Sequence, residues 1–83
     1  MAYINGQEVS NPYRRGTKMS RVFQLFSDGR GHQASEVVPL IKGPYSPLNA
    51  ANRRTATSFI RTLRTKFTVE LNSFGAYRLT GKV

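Results

Sequence analysis

The run Asn52–Phe67, NRRTATSFIRTLRTKF, constrains the fold of this chain more than any other stretch. At about 100° per residue it separates on a helical wheel into two faces. Ala56, Phe59, Ile60, Leu63 and Phe67 share one arc about 100° wide, the width of a core-facing stripe. Arg54, Thr57, Ser58, Arg61 and Thr65 point the other way, with Arg53 and Arg64 on one flank. The run contains no acid, and neither does the longer stretch from residue 37 to residue 69. A helix built this way lays its apolar arc on other elements and leaves a basic, hydroxyl-bearing face outside. Such a face suits a helix that reads nucleic acid.

The charge balance narrows the partner. Thirteen Lys and Arg residues stand against Glu8, Asp28, Glu36 and Glu70, a formal net charge of +9 over 83 residues. A field of that sign attracts polyanions and raises encounter rates with them. Nucleic acid is the leading partner class, ahead of an anionic membrane and an acidic protein. Cysteine is absent, which removes disulfides and thiolate metal sites. The longest apolar run, Val37 to Ile41, falls far short of the ~20 residues of a membrane span, and no apolar segment follows a basic start as in a signal peptide. These features lead to the expectation of one domain with one modest core, cytoplasmic, and nucleoid-associated in a bacterial or phage setting.

Taken in order, Tyr3 to Val9 places Asn5-Gly6 between two β-capable pieces, the chemistry of a type I′ hairpin turn. Residues 10 to 16 carry Pro12, Tyr13, Arg14 and Arg15, either a solvated linker or an arm touching a phosphate backbone. Residues 1–16 thus form a small hairpin and basic arm ahead of a main unit, 17–83. Thr17 is a good N-cap for a helix reaching about Ser27, with Met19, Val22, Phe23 and Phe26 as its buried stripe. Asp28-Gly29-Arg30-Gly31 ends it. His32-Gln33-Ala34 reads as a short extended piece, with His32 a surface or loop residue and no ligand to a metal. Ser35 then caps a second helix of about two turns, with Glu36 in its first turn and Pro39 limiting it before Lys42-Gly43-Pro44. The third helix starts either at Pro47, capped by Ser46, or at Asn52 as its own cap.

Thr68 to Leu71 alternates and is β-branched, Asn72 to Gly75 is a turn, and Ala76 to Thr80 returns as a second strand. Val69, Leu71, Tyr77 and Leu79 supply the inward face of this hairpin. Phe74 at its tip is expected to fold back onto the core, the alternative being exposure for contact. Arg64 has a packing alternative to DNA contact, pairing with Glu70 or Glu36.

The expected fold class is α+β: three helices with small N-terminal strands and a C-terminal β-hairpin, in the order of a winged helix-turn-helix. The sequence resembles the DNA-binding effector domain of two-component response regulators, the OmpR/PhoB class, without a receiver domain. Ile60-Arg61-Thr62-Leu63-Arg64-Thr65-Lys66-Phe67 fits that family's I-x-x-L-R-x-K-L, and Gly75-Ala76-Tyr77-Arg78-Leu79 fits its terminal G-x-Y-R-L, with Ala76 where the family usually has Gly. Phe23-Gln24-Leu25-Phe26 before Asp28-Gly29-Arg30 resembles its first helix and following turn. The resemblance implies that the third helix reads the major groove and the hairpin, as a wing, reaches the minor groove.

A major groove about 12 Å wide admits one helix. Arg54, Ser58, Arg61 and Thr65 form the stripe expected nearest base edges, since Arg matches guanine O6 and N7 and hydroxyls donate or accept. Arg53, Thr57 and Arg64 beside it are expected to meet phosphates, which orient rather than specify. Arg78 and Phe74 in the wing, with Arg14, Arg15 and Lys18 near the first helix, are candidates for backbone or minor-groove contact. The expected function is binding of double-stranded DNA by a small transcriptional regulator, with a homodimer as one route to a larger footprint. The alternative is a winged-helix module that binds or inhibits a protein of the transcription machinery through Phe74, Tyr45 or Tyr13. Binding of RNA or single strands ranks below both, because the aromatics mostly sit at core spacing. Paired carboxylates, a thiol and a phosphate-cradling loop are all missing, so neither an enzyme nor a cofactor is expected. The apolar arc is needed for the core, which argues against membrane binding.

Overall fold

Three helices pack on a three-stranded antiparallel sheet, and a second, two-stranded sheet closes one side. The computed structural model describes residues 2–4 and 6–83, with backbone alone at Ala2. The order is β1 (Ala2–Ile4), β2 (Gln7–Val9), α1 (Lys18–Phe26), β3 (His32–Gln33), α2 (Ala34–Lys42), α3 (Ala50–Leu63), β4 (Phe67–Leu71) and β5 (Ala76–Lys82). This is an α+β arrangement. Among the described residues no helix is long and apolar enough to cross a membrane.

The N-terminal hairpin pairs Ala2 with Val9 and Ile4 with Gln7. The type I′ turn expected there rests on Asn5, which lies outside the described residues. Ile4 and Val9 are buried and join the main core. Gln7 leans on Gly81 of β5, its Oε1 at 2.8 Å from where a Cβ on that glycine would sit.

The connector to α1 is pinned at Asn11 and Tyr13, while Pro12, Arg14 and Arg15 stay exposed. Asn11 Nδ2 donates to Ser20 Oγ at 2.9 Å, Tyr13 N donates to Asn11 Oδ1 at 3.0 Å, and the Tyr13 ring packs on the core. Thr17 caps α1 as expected, accepting from Ser20 N at 3.2 Å. Val22, Phe23 and Phe26 are buried and Met19 partly so. Gly29 closes the C-terminus at φ +75°, a conformation open to glycine.

His32 and Gln33 pair with Tyr77 and Ala76, so this short strand anchors the start of the chain's last strand. Ala34, expected to be extended, is the first residue of α2, and the cap is Gln33 rather than Ser35. Gln33 N donates to Glu36 Oε2 at 2.7 Å, so the acid expected in the first turn also fixes the entry. Pro39 sits inside the helix without ending it. Val37, Val38 and Ile41 are buried below it.

The longest helix begins at neither expected position. Asn49 caps it, its Oδ1 accepting from Asn52 N at 2.8 Å, while Asn52 Nδ2 ties back to Pro47 O at 2.8 Å. It stops at Leu63, with Arg64 as C-cap. Ala56, Ile60 and Leu63 are buried and Phe59 is half-buried, as the apolar arc implied. Phe67 is buried too, but from the first position of β4, where its ring meets Phe23 at 5.2 Å between centroids. A turn over residues 64–66 thus replaces the last turn of the expected helix.

The sheet runs β3-β5-β4. Pairing shifts between Thr68 and Val69, which oppose Gly81 and Leu79, leaving Thr80 as the extra residue of β5. Val69 and Leu79 are buried and Tyr77 packs on the core, but Leu71 at the turn end of the hairpin is 52% exposed.

Candidate nucleic-acid interface

Along α3 the solvent side is built from arginines and hydroxyls. Arg53, Arg54, Ser58 and Arg61 are exposed and Thr57 is half-exposed. Arg54, Ser58 and Arg61 follow i, i+4, i+7 spacing and lie one above another. The hydroxyls on and beside this face bond back into the helix. Thr57 Oγ1 donates to Arg53 O at 2.9 Å, Ser58 Oγ to Arg54 O at 3.3 Å, and Thr62 Oγ1 to Ser58 O at 3.1 Å. With their hydrogens engaged, these groups offer lone pairs outward, acceptors for an exocyclic base amine.

The first turn of α3 has no acid; Arg53 closes it and Arg54 stands one residue beyond, while Arg61 in the last turn suits the helix dipole. The helix is stabilised by its cap and buried arc, and its outer end concentrates positive potential where it is most exposed.

The acids of the chain lie elsewhere. Asp28 and Glu36 bracket His32: Nε2 is 2.9 Å from Asp28 Oδ2, and Nδ1 is 2.9 Å from Glu36 Oε1. The imidazole side chain is 12% exposed and stands perpendicular to the Phe26 ring, 5.5 Å between centroids, so the expectation of a surface or loop histidine is corrected. Two carboxylate partners require an N–H on each ring nitrogen, the imidazolium form. Burial pulls the His32 pKa down, but the bonds and charges of Glu36 and Asp28 outweigh it and hold it above the usual histidine value. Glu36 falls below its usual range through its bonds from His32 and the Gln33 amide. Asp28, pushed up by burial, is pulled down further by its bonds from the Arg30 amide and His32. No group of three or more acid, histidine or cysteine side chains among the described residues could hold a metal ion. Glu70 lies 3.6 Å from Arg78 across the hairpin, an exposed pair.

Several expected contact residues are placed differently. Thr65 lies beyond the helix, and its hydroxyl donates to Thr62 O at 2.6 Å, so it does not extend the Arg54–Ser58–Arg61 stripe. Arg64 donates to Val69 O at 3.1 Å and lies over the Tyr77 ring at 5.9 Å. It braces the hairpin, and neither Glu70 nor Glu36 is its partner in these contacts. Arg14, Arg15 and Lys18 are exposed in the corner that leads into α1. Tyr13, a candidate anchor for a protein partner, has its hydroxyl enclosed, and Lys66 Nζ sits 5.4 Å above its ring.

Phe74 does not fold back. It is 85% exposed at the hairpin tip, where burying a phenyl group elsewhere stabilises by roughly 1.5–3 kcal/mol. Phe74 and Gly75 form one wall of an open concavity of about 270 Å³ whose other walls are Arg53 and residues 33–35. The structure therefore brings together the start of α3 and the hairpin tip, two regions far apart in sequence. Tyr45 (98% exposed) and Leu48 (50% exposed) stand out on the turn before α3. Leu48 had no sequence signal to set it apart, since it follows a turn proline and precedes a helix.

Compared with protein-family models, curated proteins and solved structures, the chain finds no significant match in any of the three.

Proposed function

We propose that the protein binds double-stranded DNA, with the outward face of α3 in the major groove and the C-terminal hairpin acting as a wing beside it. The observation that carries this reading is the outward face of α3, which exposes Arg53, Arg54 and Arg61 with a line of hydroxyl acceptors and no acid. An acid-free face of this kind matches a polyanion. The element order supports the same reading: helix, short strand, helix, long basic helix and hairpin is the winged helix-turn-helix order implied by the sequence. Arg54, Arg61 and Ser58 are assigned to base edges. Arg53 and Thr57, with Arg14, Arg15, Lys18 and Arg78, are assigned to the sugar–phosphate backbone. Arg64 and Thr65 are left out of the contact set. Control of transcription by a small regulator is the role that fits such binding.

Competition among duplex DNA, single-stranded DNA and RNA of one sequence tests the proposal. Duplex is expected to displace the other two at moderate salt. Preference for single strands or RNA, or no binding tighter than that of an uncharged control protein, overturns it.

A second reading has its own observation. Tyr45 and Leu48 are exposed together on the turn before α3, where aromatic and aliphatic anchors suit a protein partner. Capture of a protein of the transcription machinery that survives nuclease treatment and ignores charge reversal at Arg54 and Arg61 would favour that reading.

A further inference from the structure

We propose that Phe74 is a wedge that enters between stacked base pairs, so that the protein unstacks and bends the duplex it binds. This rests on the reading of α3 as a duplex-binding helix and adds a mechanical action to it. Three observations carry it. The phenyl group is 85% exposed at the outermost turn of the hairpin, so the fold itself gives it no core to fill. Its backbone is fixed rather than loose. Asn72 Oδ1 accepts from Phe74 N at 2.9 Å and from Ala76 N at 3.0 Å, while Asn72 N donates to Ala76 O at 2.9 Å and Gly75 N to Asn72 O at 3.1 Å. Gly75 adopts φ +80°, which lets the chain turn this tightly behind the ring. A wedge has to be held in this way, because a ring on a loose loop swings aside instead of parting bases.

The third observation is position. Phe74 and Arg53 line the same concavity, and none of its lining residues is an acid. With Arg53 against a phosphate, the strand ridge lies between the start of α3 and the tip, which sets the ring at the neighbouring groove. Apolar side chains inserted from the minor groove part a base step and kink the duplex by about 20–90°. Pyrimidine–purine steps yield most readily.

The test uses a mixed-sequence duplex of about 30 base pairs, rich in TA and CA steps, with 2-aminopurine replacing their adenines and donor and acceptor dyes at its ends. Binding is followed in parallel by anisotropy. The expected result is a several-fold rise in 2-aminopurine emission and a rise in end-to-end energy transfer on binding. Both are lost in Phe74→Ser and retained in Phe74→Leu. Binding by the unaltered protein with no change in either signal, or with changes that persist in Phe74→Ser, overturns the wedge and leaves duplex binding standing. No binding to the duplex overturns both.

Discussion

Replacing His32 by Gln removes the imidazole that ties Asp28, just past the end of α1, to Glu36, in the first turn of α2. Glutamine reaches at most one of the two carboxylates and carries no charge. The carboxylate side chains are 43% and 47% exposed, so solvent weakens both bonds. At about 0.5–1 kcal/mol for each such pair, the loss is roughly 1–2 kcal/mol. For a domain this small that lowers Tm by roughly 5–15 °C. The pH dependence separates this account from simple packing. The folded pKa of His32 is raised, so its contribution is fully present below the unfolded value of 6.5 and fades as pH rises through the higher folded value. Asp28 and Glu36 are lowered from 3.8 and 4.5, so their contribution is present above those values and fades as pH falls through the lower folded ones. The Tm difference between the wild type and His32→Gln is therefore greatest between 4.5 and 6.5 and shrinks in alkaline buffer. Thermal melts of both proteins from about pH 4 to pH 9 measure it. A difference as large at the alkaline end as at its maximum would refute the charged clamp and leave His32 a neutral packing group against Phe26.

Ile60→Ala opens a cavity where α3 meets the core and is expected to cost about 2–5 kcal/mol in denaturant unfolding, since Ile60 is 1% exposed. Phe74→Ser is expected to stay within about 0.5 kcal/mol of wild type in the same assay; a larger loss would mean that the ring has a folded-state partner. Arg64→Ala removes the bond to Val69 O and the contact with Tyr77, and is expected to cost roughly 1–2 kcal/mol of stability. At a temperature where it is folded, it should bind duplex DNA with nearly wild-type affinity, unlike Arg54→Ala.

The parts of the fold set by local periodicity were legible in the sequence. Met19, Val22, Phe23 and Phe26 repeat at helical spacing between a threonine cap and a glycine stop, and α1 follows that pattern. Val69 and Leu79 likewise alternate into the core from strands joined by Asn72–Gly75. Misplacements fall where a long-range contact overrides a local signal. Phe67 continues the helical arc of α3, but pairing with Lys82 and contact with Phe23 draw it into a strand, and Thr65 leaves the helix with it. Ser35 is a good cap by itself, yet pairing of Gln33 with Ala76 ends the strand one residue earlier and moves the cap to Gln33. His32 carried no pattern; only the fold reveals that residues four before and four after it converge on its two nitrogens. The same holds for the interface. Which arginines face out of α3 was readable from the wheel, whereas the bracing role of Arg64 and the shared concavity of Arg53 and Phe74 depend on where the hairpin returns.

The salt dependence of duplex binding is the sharpest check on whether the basic face of α3 meets DNA. Log affinity falls with log salt by about 0.9 for each phosphate neutralised, so about five contacts give a slope of roughly −4.5. Arg53, Arg14, Arg15, Lys18 and Arg78 are the side chains that supply those contacts. A slope near that value is expected for the wild type. A shallower one, by about one for each phosphate no longer neutralised, is expected in a variant with Gln at 14, 15 and 53. A slope near zero, or one that the triple substitution leaves unchanged, would contradict such contact.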